Sequence, residues 1–145
     1  MNKKEHNKAS QKRLLIIGFG SIGKAVLPLI FKHTNFIPAQ VIIVSKHNDG
    51  KEIAKEFGVH LEEIAITAHN YIDLLAGMLQ EGDFLLNLSV GVSSFALVEW
   101  CQKHGVLYLD TCTEPWEGVY TDKNLPPALR TNYALREEIL KLNQG

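Results

Sequence analysis

Four short apolar runs recur along the chain: 14–17 (Leu-Leu-Ile-Ile), 41–44 (Val-Ile-Ile-Val), 84–88 (Phe-Leu-Leu-Asn-Leu) and 106–109 (Val-Leu-Tyr-Leu). Each is close to continuous rather than alternating, the pattern of strands buried on both faces of a parallel sheet. Helical spacing fills the intervals between them. Ile22, Val26 and Ile30 share one face of the first, and Ile53 and Phe57 are four apart in the second. Tyr71, Leu75, Met78 and Leu79 line the third, and Phe95, Val98 and Cys101 the fourth. Each stripe is expected to pack on the sheet. Gly58, Gly82 and Gly105 follow these segments, where a left-handed residue ends a helix at little cost. Residues 60–67 are expected to hold a fifth, peripheral strand. Pro28 reads as a kink rather than a helix end, because the apolar face continues to Ile30. A last amphipathic helix starts at Asn132, with Leu135, Ile139 and Leu142 on one side. Strands alternating with helices predict right-handed βαβ units and an open parallel α/β sheet.

Composition narrows the class. The chain has 145 residues, 46% hydrophobic and 21% charged, which suits one folded domain and argues against disorder. Its apolar runs fall far short of the ~20 residues that cross a bilayer. Residues 1–12 are polar and lysine-rich, a tail without the apolar core of a secretory signal. The domain proper is therefore placed at 13–145. A net charge of −1 supplies no broad field for nucleic acid. Cys101 and Cys112 form no CxxC pair, and the six histidines form no HxH or HxxxH pair, so no metal site is expected. The expected setting is a reduced cytoplasm.

The strongest local signal is Gly18-Phe19-Gly20-Ser21-Ile22-Gly23, which follows the first strand and opens a helix. In that context GxGxxG reads as a dinucleotide loop. Gly18 permits the turn, Gly20 lets backbone approach a pyrophosphate, and Gly23 lets the helix pack closely on the strand. The helix N-terminus then faces the phosphates. The second strand should finish in an acid that binds the adenosine ribose. Here it ends Val44-Ser45-Lys46-His47, and Asp49 comes four residues late. Ser45 can bond a ribose hydroxyl and Lys46 can tolerate a 2′-phosphate, so the charge pattern leaves NAD and NADP open.

Two further strand ends deliver polar groups to the ligand side of such a sheet. One gives Asn87, Ser89, Gly91, Ser93 and Ser94; the other gives Asp110, Thr111, Cys112, Thr113 and Glu114, then Pro115 and Trp116. Ser93 reads as a helix N-cap. Glu114 is the candidate catalytic carboxylate, suited to hold a cationic amine beside Trp116. The alternative is a solvated glutamate with Trp116 as a packing anchor. Cys112 reads as packing, since nothing predicts a lowered thiol pKa.

Residues 17–24 and 27–30 resemble the start of bacterial homospermidine synthases. So do residues 87–90 (Asn-Leu-Ser-Val), 104–111, Glu114-Pro115-Trp116 and 130–137 (Arg-Thr-Asn-Tyr-Ala-Leu-Arg-Glu). The blocks keep their order across nearly the whole chain from Leu14. The resemblance implies a Rossmann-type doubly wound parallel sheet related to saccharopine dehydrogenase, followed in the family by a larger second domain. It implies synthesis of homospermidine from two putrescines with release of ammonia, in a soluble homodimer. One putrescine is oxidised to an imine at bound NAD, ammonia leaves, the second putrescine adds, and the hydride returns. Gly18, Gly20 and Gly23 match the cofactor loop, Asn87 and Ser89 the strand end near the nicotinamide, Thr111 a cofactor-facing position, and Glu114 a glutamate of the substrate cleft.

There are departures from the family. Gly91 stands where members carry an Asp of the amine site, and Ser45 where some carry an acid. The 145 residues are expected to lack the second domain, which in the family supplies most diamine contacts, and so are expected not to turn over putrescine alone. Two other readings stay open: a stand-alone nucleotide-sensing module, and a saccharopine dehydrogenase-like oxidoreductase acting on an amino acid.

Overall fold

The computed structural model describes residues 12–142. The tail expected at residues 1–12 lies outside them except for Lys12. Five parallel strands form one sheet: β1 (Leu14–Ile17), β2 (Val41–Ser45), β3 (His60–Glu63), β4 (Phe84–Asn87) and β5 (Leu107–Asp110). Their order is β3-β2-β1-β4-β5. Leu14 pairs with Val41 on one side and Phe84 on the other, and Ile17 with Val44 and Asn87. The chain builds outward from β1 to β3, then crosses back to β4. That reversal opens a crevice beyond the carboxyl ends of the central strands. The expected Rossmann-type α/β fold is therefore present.

Successive residues of β1 point to opposite faces and seed two cores. Leu15 and Ile17 join Leu75, Leu85, Leu97 and Trp100, under α3 (Tyr71–Met78) and α4 (Ser94–His104). Leu14 and Ile16 join Leu27, Val41, Ile43 and Ala54, under α1 (Ser21–His33) and α2 (Lys51–Glu56). Burial of all four β1 residues explains the unbroken apolar run. Helix α1 runs through Pro28 to His33, as its apolar face predicts.

Several expectations need correction. Ile22 is 52% exposed, because the sheet-facing side of α1 is Gly23 and Leu27 flanked by Val26 and Ile30. In α4 the buried stripe is Leu97, Trp100 and Cys101, while Phe95 and Val98 are only half-buried. The peripheral fifth strand expected within residues 60–67 is present as β3, at the sheet edge. Gly105 does cap α4 in the left-handed region, at φ 64°. Gly82, also at positive φ, instead turns the chain into β4, since α3 already ends at an extended Leu79. Strand β5 is not buried on both faces. It pairs with β4 alone, and Leu107 and Leu109 are 56% and 55% exposed on the side away from α4. Helix α5 (Asn132–Leu142) buries no residue fully.

One buried group ties strand entries together. Asp83 is 1% exposed and accepts bonds from the backbone N–H groups of Arg13 (2.8 Å) and Gln80 (2.9 Å) and from the Arg13 guanidinium (3.2 Å). It joins the start of β1 to the turn before β4. No described helix is long and apolar enough to cross a membrane.

Candidate functional site

The turn between β1 and α1 follows from its glycines. Gly18 sits at φ +88°, and a Cβ there would come within 2.8 Å of the Ser89 backbone. The Gly18 N–H donates to the Val44 carbonyl at 2.8 Å, so the turn is gripped between β2 and β4. Gly23 is held tight as well, because a Cβ would meet the Phe19 ring at 2.9 Å and the Gly18 carbonyl at 3.0 Å. Gly20 differs, since a Cβ there would meet nothing within 4 Å. The first bond of α1 runs from the Lys24 N–H to the Gly20 carbonyl. The N–H groups of Ser21, Ile22 and Gly23 therefore have no intrahelical partner, and Gly20 offers no side-chain cap. Open space at Gly20 beside a helix N-terminus suits a phosphate group.

A cleft of about 550 Å³ opens above these strand ends. Gly18, Phe19, Gly20, Ser45 and Ser89 line it, together with Ile17, Val44 and Leu88. The Phe19 side chain is buried in the core beneath α1. Ser21, Ile22 and Gly23 form the first turn of α1 rather than cleft wall. Asn87 is buried beneath the cleft, where its Oδ1 accepts from both the N–H and hydroxyl of Ser89. Its amide donates to the Tyr108 hydroxyl at 3.4 Å, which donates to Asp110 at 2.9 Å. Burial raises the Tyr108 pKa, so this phenol stays protonated and the chain of bonds intact. Thr111 is exposed and outside the cleft.

Sequence reasoning missed one wall. Residues 64–67, after β3, and Glu117, after β5, also line the cleft. The alternation Ile64-Ala65-Ile66-Thr67 was the available signal, but it was absorbed into the fifth strand. Glu117 is placed by its backbone N–H, which donates to the Gly91 carbonyl at 2.9 Å. Asp49 does not reach the cleft. Its carboxylate meets Lys24 Nζ at 2.9 Å, and that bond holds its pKa below the usual carboxylate value.

Glu114 lies in a separate polar cluster beyond β5. Ser94, the fully buried first residue of α4, clasps it by backbone. The Ser94 N–H donates to the Glu114 carbonyl (2.8 Å), and the Glu114 N–H donates to Ser94 Oγ (3.0 Å). Ser93 caps the same helix, its Oγ accepting from the Ala96 N–H at 3.3 Å. The Glu114 carboxylate accepts from the Cys112 thiol at 3.2 Å. Cys112 is thus exposed and hydrogen-bonded, not packed as expected, because Glu114 draws it to the surface cluster. Tyr120 and Asn132, neither read from the sequence as a site residue, border the cluster and share a 2.7 Å bond. The Trp116 ring packs against Tyr71 (centroids 5.4 Å apart), so it does anchor the loop.

The bond from Glu114 raises the Cys112 pKa above the ordinary thiol value, with burial adding to it. A raised pKa lowers the thiolate fraction at any given pH near neutrality. Glu114→Gln removes the charge and is expected to speed alkylation of Cys112 by iodoacetamide at pH 8 several-fold, read by mass spectrometry. Cys101, buried and pushed up to about 12, stays silent as an internal reference. An unchanged rate would show that the carboxylate does not control the thiol.

Comparison with known proteins places this geometry. Homospermidine synthase from Blastochloris viridis is 41% identical over 130 residues, which is 88% of this chain and 27% of that protein. Homospermidine synthase from Mesorhizobium japonicum is 41% identical over 131 residues, with the same coverage. The crystal structure of homospermidine synthase from Legionella pneumophila in complex with NAD superposes with a TM-score of 0.79 at 39% identity. It covers 90% of this chain and 26% of that one. The chain thus spans about a quarter of the length of these relatives. Residues 14–145 match the family model of the saccharopine dehydrogenase NADP-binding domain. With the glycine turn, all five strands and every residue from β1 onward inside that match, the chain belongs to the saccharopine dehydrogenase NADP-binding domain family.

Proposed function

We propose that the chain is the NAD-binding part of a homospermidine synthase, which transfers an aminobutyl group between two putrescines and releases ammonia. One observation carries the reading: a single parallel sheet brings the open backbone at Gly20, after β1, and Glu114, after β5, to the carboxyl ends of two strands on either side of β4. Around the dinucleotide, Gly18, Gly20 and the first turn of α1 hold the pyrophosphate, Ser45 holds the adenosine ribose, and Asn87 orients Ser89 toward the nicotinamide half. Bound NAD supplies reversible hydride acceptance. Glu114 holds the distal ammonium of the diamine, an interaction strengthened by charge. Thr111 is assigned a supporting role at the cofactor end of β5. The full-length enzyme acts as a homodimer in the cytoplasm and takes putrescine or a close diamine. Similarity to homospermidine synthases across 88% of the chain supports this reading over a sensing module or an amino-acid oxidoreductase.

Calorimetric titration tests it directly. The chain is expected to bind NAD, and Gly20→Val to weaken binding by about tenfold or more, because side-chain bulk fills the phosphate approach. Far-UV circular dichroism should be unchanged in that variant, since the space at Gly20 is open. A folded chain that binds no dinucleotide would refute the cofactor assignment. The Glu114→Gln variant, made in the full-length enzyme, extends the test to the amine: it should weaken putrescine binding and leave NAD affinity intact.

A further inference from the structure

We propose that Lys46 and Glu117 determine which dinucleotide the cleft takes, with Lys46 the counter-ion for a 2′-phosphate and Glu117 its competitor. The proposal rests on the dinucleotide reading above and goes beyond it to cofactor selectivity. An acid at the tip of the second strand normally selects against a 2′-phosphate, by binding the free hydroxyl and repelling the added charge. Ser45 occupies that tip here and is buried, its Oγ accepting from the His47 N–H at 3.4 Å. The nearest following acid, Asp49, is held by Lys24 and does not line the cleft. Glu63, beside Ser45 in the sheet register, does not line it either.

Among the described residues that line the cleft, the fully charged side chains are Lys46 and Glu117. They meet across its mouth, Nζ to Oε2, at 3.5 Å. Lys46 directly follows the ribose-facing Ser45, where a 2′-phosphate would project. Glu117 approaches from the opposite wall, its backbone fixed to Gly91. Both side chains are largely exposed, so their pairing is weak and readily exchanged. A phosphate dianion makes stronger charge-assisted bonds than one carboxylate and takes Lys46 from Glu117. With NAD there is no phosphate to bind, and the Lys46–Glu117 pair persists.

The test is a pair of titrations, NAD and NADP, against the full chain and two variants. Lys46→Glu is expected to weaken NADP by about tenfold or more while NAD changes by less than about twofold. Glu117→Gln is expected to tighten NADP a few-fold and leave NAD unchanged. Raising the salt concentration should weaken NADP more than NAD. If Lys46→Glu leaves the ratio of the two affinities unmoved, Lys46 does not read the 2′ position and the proposal fails while the cofactor reading stands. If the folded chain binds neither dinucleotide, both fail together.

Discussion

Gly18→Ala is expected to destabilise the chain by about 2–6 kcal/mol, a large part of the ~5–15 kcal/mol that holds a domain of this size folded. Two costs add. At φ +88° an L side chain is strained, by about 1–3 kcal/mol. Its Cβ would also sit 2.8 Å from the Ser89 backbone, and overpacking against a fixed neighbour costs about 1–3 kcal/mol. Ser89 cannot retreat, since Asn87 binds it and the Leu88 N–H donates to the Ile17 carbonyl at 2.7 Å. Urea unfolding followed by circular dichroism should show the midpoint fall sharply, while Gly20→Val stays close to the parent. Equal midpoints for the two variants would mean that the turn relaxes, and that its tightness does not position the loop.

Asp83→Ala is expected to cost a comparable amount by a different route. The buried carboxylate satisfies the N–H groups of Arg13 and Gln80, and each buried donor left unpaired costs about 1–3 kcal/mol. The Arg13 guanidinium is about one-third exposed and regains water, so the backbone donors dominate. The same urea experiment measures the loss. A change below about 1 kcal/mol would show that water replaces the carboxylate, and that the start of β1 is held by other contacts.

The parts of the molecule that announced themselves were those with a repeating physical demand. An all-buried β1 needs four consecutive apolar residues, and a turn squeezed between two strands needs glycine at Gly18, so both were legible. Residues whose meaning depends on a distant neighbour were not. Leu107 and Leu109 have the same composition as core strand residues; only the strand order shows that β5 has one neighbour and one open face. Asp83 looks like any turn carboxylate until Arg13, 70 positions away, closes on it. Cys112 reads as packing because nothing in its sequence surroundings predicts a lowered thiol pKa, and that says nothing of whether the loop turns inward. Glu117 gave no sign of facing Lys46 across 71 positions.

The reciprocal bonds between Ser94 and Glu114 have a mechanical consequence. Since α4 begins at a residue that both donates to and accepts from the Glu114 backbone, the helix and the carboxylate loop behave as one lever. Its far end is clamped in the core by Trp100 and Cys101. Any substitution there that tilts α4 will displace Ser94, about two turns away, and with it the loop that carries the Glu114 carboxylate. Changes remote from both strand ends can therefore tune the reach of Glu114 without touching it.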